Sequence, residues 1–136
     1  MSLTTLDIKE PGLNVLPPGV ERHVINAGGL TGLQIFPDDE IEIINDEGNQ
    51  ICEIVCFNKD GKSELGILGL KENNKYDFIK KILNSKDESS LATNYQLKKR
   101  NLDIKLSKSA IVFDIDTPSG EKVKFKSKDK SYVIFA

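Results

Sequence analysis

The chain has 136 residues, 38% of them hydrophobic, which is enough for one domain with a real core and no need of disulfides or metals to staple it. Its 19 basic and 21 acidic residues leave a formal net charge of −2 with the signs interspersed, which argues against a surface that neutralises many phosphates, and so against a nucleic-acid partner. No run approaches the ~18 apolar residues of a membrane span, and the N-terminus lacks the charged-then-apolar pattern of a signal peptide, so a cytoplasmic protein without membrane partners is expected.

Residues 1–19 hold three of the five prolines and little periodicity, and read as an extended Pro-containing arm ahead of a single β-rich domain over 20–136. A first strand is expected over 20–26. The glycines at 28, 29 and 32 then form a loose turn. They lead into another strand, 33–36, with no lysine following, which is the wrong context for a phosphate loop. After the turn at Pro37-Asp38-Asp39, Ile41 and Ile43 alternate with Glu40 and Glu42. Asp46-Glu47-Gly48 is expected to close a β-hairpin onto a return strand over 50–57. That return strand is apolar on both faces apart from Glu53, so it reads as a central strand covered on both sides.

A second turn at 58–62 and a further strand over 64–70 follow. From Asn73 the period changes, and Tyr76, Ile79 and Leu83 share one helical face with Phe78 and Ile82. Asparagine can cap the start and lysines suit the end, giving one amphipathic helix at about 75–84. Residues 84–93 read as loop, with one more helical turn over 89–95. Strands are expected again over 102–106, 111–115, 123–126 and 132–135. In the third of these Lys122, Lys124 and Lys126 point outward, as edge strands use charge to resist pairing. About eight strands, one helix and no strand–helix alternation predict a mainly β fold, an antiparallel barrel or sandwich. The chain stops inside an apolar strand, which raises the expectation of a fragment from a longer protein; a strand pinned in a sheet is the alternative.

Few residues offer chemistry. Cys52 and Cys56 lie on one face of a strand with α-carbons on the order of 13 Å apart, too far for a disulfide or one zinc ion, and read as small buried hydrophobes. His23 is the single histidine, so any imidazole chemistry rests on it and a multi-histidine metal site is excluded. Asp38, Asp39 and Glu40, and separately Asp114 and Asp116, could attract a hard cation, but turn aspartates are explained by local backbone hydrogen bonds, and no metal site or cofactor is expected. Glu53 is the more interesting acid, since a carboxylate among apolar neighbours needs a partner such as Arg22, Arg100 or a lysine. Glu53 and His23 are therefore the candidate acid and base.

The run from Asp39 to Gln50, DEIEIINDEGNQ, continuing into Val55-Cys56-Phe57-Asn58, resembles the strand-Glu-Gly-Asn/Gln-strand-Phe-Asn pattern of the urea-carboxylase-associated domain of unknown function. Similar segments open some bacterial proteins with a glycine-cleavage T-protein-like, folate-dependent aminomethyltransferase region downstream. The ending Ser131 to Ala136 is similar to the strand that closes such leader domains. That pattern often carries an aspartate a few residues after its glycine, and Glu53 stands near that place. The resemblance implies a non-catalytic accessory β-domain, the N-terminal part of an aminomethyltransferase-like protein. Its expected partners are the rest of a longer polypeptide or copies of itself, with a small ligand as a further expectation. The alternatives are a stand-alone enzyme of small-molecule metabolism using Glu53 and His23, and a homo-oligomeric structural protein; for this chain alone an enzyme is the less expected outcome.

Overall fold

The computed structural model describes residues 2–4, 22–25, 29–73, 76–85 and 87–136. These form eight strands in two antiparallel sheets. Six strands have five residues or more: β3 (Thr31–Ile35), β4 (Glu40–Ile44), β5 (Cys52–Asn58), β6 (Ser109–Phe113), β7 (Lys122–Lys126) and β8 (Ser131–Phe135). Two are three-residue segments, β1 (Ser2–Thr4) and β2 (Arg22–Val24). One sheet runs β2-β1-β4-β7 and the other β3-β8-β5-β6. Both sheets keep free edges, so the described residues make a layered fold and not a closed barrel. Ser2–Thr4, at the head of the expected arm, pair between β2 and β4; residues 5–21 lie outside the described residues.

The strand period explains the layers. Along β5, Cys52, Ile54 and Cys56 point one way and Glu53, Val55 and Phe57 the other, because successive side chains alternate across a sheet. The first set joins Ile41, Ile43 and Phe125 of the facing sheet and Val133 and Phe135 of β8 in one apolar core between the sheets. Val55 and Phe57, with Tyr132 and Ile134 of β8, pack instead against Ile79, Leu83 and Leu97, which come from two helices. The order is therefore sheet, core, sheet, second core, helices. β8 is buried along its whole length, held between β3 and β5.

The largest departure from the expected chain path is at residues 40–57. β4 and β5 do not form a hairpin: β4 pairs with β1 and β7, β5 with β6 and β8. The Asp46-Glu47-Gly48 segment is an arch carrying the chain from one sheet to the other. Asn45 organises it from a fully buried position. Its side-chain oxygen accepts from the Gly48 amide at 2.9 Å, its side-chain nitrogen donates to the Gln50 carbonyl at 3.3 Å, and its backbone exchanges hydrogen bonds with Gly120 and Glu121. Gly48 sits at φ +75, and a Cβ there would lie 2.7 Å from the Ser119 nitrogen, so both conformation and space require glycine.

Three other expected elements differ. Residues 64–70 form a 3-10 helix, Leu65–Leu68, ended by Gly69 in the left-handed region, and bury Leu65, Ile67 and Leu68 against the first core. Residues 102–106 are likewise not a strand; Ile104–Leu106 is a 3-10 turn whose N-cap Asp103 accepts from the Lys105 amide. The helix expected at 75–84 is a short one, α1 (Phe78–Leu83), and the main helix is α2 (Glu88–Lys99). Asp87 caps α2 by accepting from the Ser90 amide at 2.9 Å.

Candidate functional site

The site is built around Glu53. The β5 alternation places its side chain on the helix side of the sheet, 1% exposed. There it meets the first turn of α1, whose N-cap Asp77 has a left-handed backbone and makes no cap hydrogen bond with its own side chain. Glu53 supplies the cap from across the layer: Oε1 accepts from the Ile79 amide at 2.9 Å and Oε2 from the Phe78 amide at 3.2 Å. Two otherwise orphaned helix amides are satisfied, and the negative charge stands at the positive end of the helix. The backbone of Glu53 is fixed as well, exchanging hydrogen bonds with Ala136 at 2.8 and 3.0 Å.

Among the described residues main-chain amides take the place of the expected cationic partners of Glu53; the Arg22 side chain lies outside that description. Arg100 lies instead over the Tyr132 ring at 4.4 Å and donates to the Gln96 side chain. Burial pushes the Tyr132 hydroxyl above its ordinary range, with the Arg100 charge pulling the other way. Beside the cap, Tyr76 stacks on Phe78 with ring centroids 5.1 Å apart and donates to Asp114 Oδ1 at 2.8 Å. Among the described residues Asp77 Oδ1 is buried without a hydrogen-bond partner.

His23 is placed elsewhere. It lies in β2, opposite Leu3 of β1, in the sheet beyond the first core. Glu53 faces away from that sheet, so the fold does not bring the two candidate residues together. The cysteines are free thiols buried in the first core. Burial raises both: Cys56 is pushed up to about 11, with the neighbouring Ser131 hydroxyl opposing, and Cys52 is raised further. Neither is a thiolate near neutral pH, the form a nucleophile or metal ligand needs.

The acidic turns are occupied by local bonds. Asp39 accepts from the Phe36 amide at 2.9 Å, and exposed ion pairs join Asp38 to Lys126 and Glu40 to Lys124. Asp114 accepts from the Ile115 amide at 2.7 Å, while its own amide donates to Thr117 Oγ1. Among the described residues no group of three or more His, Cys, Asp or Glu side chains is placed to hold a metal ion. Nor is any described helix long and apolar enough to cross a membrane.

Sequence reasoning missed Asn45, and it read an asparagine at the start of the 73–83 run as the helix cap, a position that Asp77 holds. The pattern Asn-Asp-Glu-Gly carries a signal for Asn45, since an Asn side chain readily bonds the backbone a few residues on. Asn73 covers the outer edge of β6: its amide donates to the Ser109 carbonyl, and its side chain both accepts from the Ile111 amide and donates to the Ile111 carbonyl. It substitutes for a missing strand partner.

Neither a family model nor a solved structure matches this sequence. The chain is 32% identical over 129 residues to the trimethylamine-oxide aldolase of Ruegeria pomeroyi (strain ATCC 700808 / DSM 15171 / DSS-3). The match takes in 95% of this chain and 16% of that enzyme, so nearly all of the fold corresponds to a small part of a much larger protein.

Proposed function

We propose that this chain is an accessory β-domain of a larger methylamine-processing enzyme, one that acts on trimethylamine oxide or a related amine and passes its one-carbon unit to a folate-dependent, aminomethyltransferase-like region. The domain contributes by docking within that assembly, not by supplying the reacting groups. The observation that carries this reading is the match along 95% of the chain to only 16% of an enzyme named for trimethylamine oxide. The partial likeness of residues 39–58 to leader domains of aminomethyltransferase-like proteins supports the one-carbon assignment. The geometry of the candidate residues agrees: Glu53 has both oxygens engaged by helix amides, and the two thiols are buried and raised.

A chimera tests it. Replacing the matched segment of the Ruegeria aldolase with this chain should keep measurable consumption of trimethylamine oxide, followed by proton NMR, whereas this chain alone should consume none. Turnover by the isolated chain would overturn the accessory reading. A chimera as inactive as one carrying an unrelated β-domain of equal length would overturn the kinship of function.

A further inference from the structure

α2 presents the unusual face of this molecule. At ~100° per residue, Ser90, Thr93 and Leu97 fall on one side of the helix, and these are its buried residues, 0%, 7% and 4% exposed. The opposite side, an arc of ~120°, carries Glu88, Leu91, Ala92, Tyr95, Lys98 and Lys99, all exposed. Within it Leu91 and Tyr95 are 59% and 63% exposed, one turn apart. A helix that buries two hydroxyl side chains and shows a leucine and a tyrosine to solvent is arranged for a contact on its outer side.

The charges on that face say what the contact is. Leu91 and Tyr95 lie two residues to either side of Thr93, and Glu88 and Lys98 lie five residues to either side of it. A second α2 laid antiparallel on the outer face, with the two-fold axis crossing at the level of Thr93 along the helix, sets Leu91 against Tyr95 and Glu88 against Lys98, twice over. A parallel alignment would set Glu88 against Glu88 and Lys98 against Lys98. The face is thus complementary to itself in one orientation only, which an isologous interface requires.

We propose that α2 is a homodimer interface, and that its partner is the α2 helix of a second copy of this chain packed antiparallel through Leu91 and Tyr95 and aligned by Glu88–Lys98 pairs. The inference is independent of the enzyme to which the domain belongs. The side chains involved are exposed in the single chain, so substituting them leaves the two cores intact.

Sedimentation equilibrium on the full chain tests it. The wild type should show a reversible, concentration-dependent dimer that weakens with added salt, and Tyr95→Glu should be monomeric. Glu88→Lys and Lys98→Glu should each weaken self-association on the order of tenfold, because each turns two attractive pairs into two repulsive ones. The Glu88→Lys/Lys98→Glu double variant should recover it, and mixing the two single variants should give a heterodimer. A wild type that stays monomeric across the concentration range overturns the proposal. So does a dimer indifferent to Tyr95→Glu, or a double variant no tighter than the singles.

Discussion

The two faces of β5 are built on different principles. Toward the other sheet it presents Cys52, Ile54 and Cys56, an entirely apolar surface where packing does the work. Toward the helices it presents Val55 and Phe57 with the Glu53 carboxylate ahead of them at the start of the row. The first face needs volume and little else. The second needs one particular acid, because α1 is only six residues long and begins without a working cap of its own. A helix that short is marginal in isolation, so its position depends on what the sheet offers it. The contrast teaches that a buried charge on a central strand can be an architectural device, tying one layer to the next.

The sharpest way to break this contrast is at Glu53. Glu53→Ala leaves two helix amides without an acceptor in a buried place and should lower stability by about 3 kcal/mol, read from the urea midpoint. Glu53→Gln keeps one carbonyl acceptor but turns an amide donor toward the other N–H, and should cost about 2 kcal/mol. On the opposite face, the thiols predict a pH effect. Cys56 ionises near its ordinary value when unfolded and only at about 11 when folded, so the folded state holds its proton longer. Stability should therefore be complete below pH ~9 and fall as pH rises from there toward 11, by on the order of 2 kcal/mol for Cys56. Cys52 adds to the fall, since burial raises it too. Substituting both by alanine should flatten the alkaline limb, and in the wild type neither should react with a thiol reagent until denaturant is added.

Away from β5, Gly48→Ala should cost about 2 kcal/mol through its positive φ and its approach to Ser119, with little change in either core as judged by methyl NMR shifts. The smallest effect is expected on the outer surface. The exposed Lys124–Glu40 pair, 3.6 Å apart, is solvent-screened, and removing it should leave the urea midpoint unchanged within error.

These positions also show what the sequence could and could not reveal. Alternation along β4 and β7 is legible because a period of two is written in the residues themselves, and the two-sided apolar run of β5 placed Glu53 among apolar neighbours. What caps α1 is not legible, because the acid's partners are main-chain amides, which have no letter. The β4–β5 arch was missed for a related reason. Asn-Asp-Glu-Gly turns the chain equally well into a hairpin or across to another sheet, and the choice is made by β1 and β7, which claim β4 from afar. Residues 64–70 and 102–106 have strand-like alternation too short to resist local turn chemistry at Gly69 and Asp103. α2 was read only as a single turn over 89–95, because Ser90 and Thr93 fill the buried positions where an amphipathic reading looks for leucine.

Amide hydrogen exchange in Glu53→Gln against the wild type tests the architectural role of Glu53 most directly. The Phe78 and Ile79 amides should lose protection by about tenfold or more, while the amides of β5 and β8 at the sheet centre keep theirs. Unchanged protection at Phe78 and Ile79 would contradict the account, because those amides would then not depend on the carboxylate.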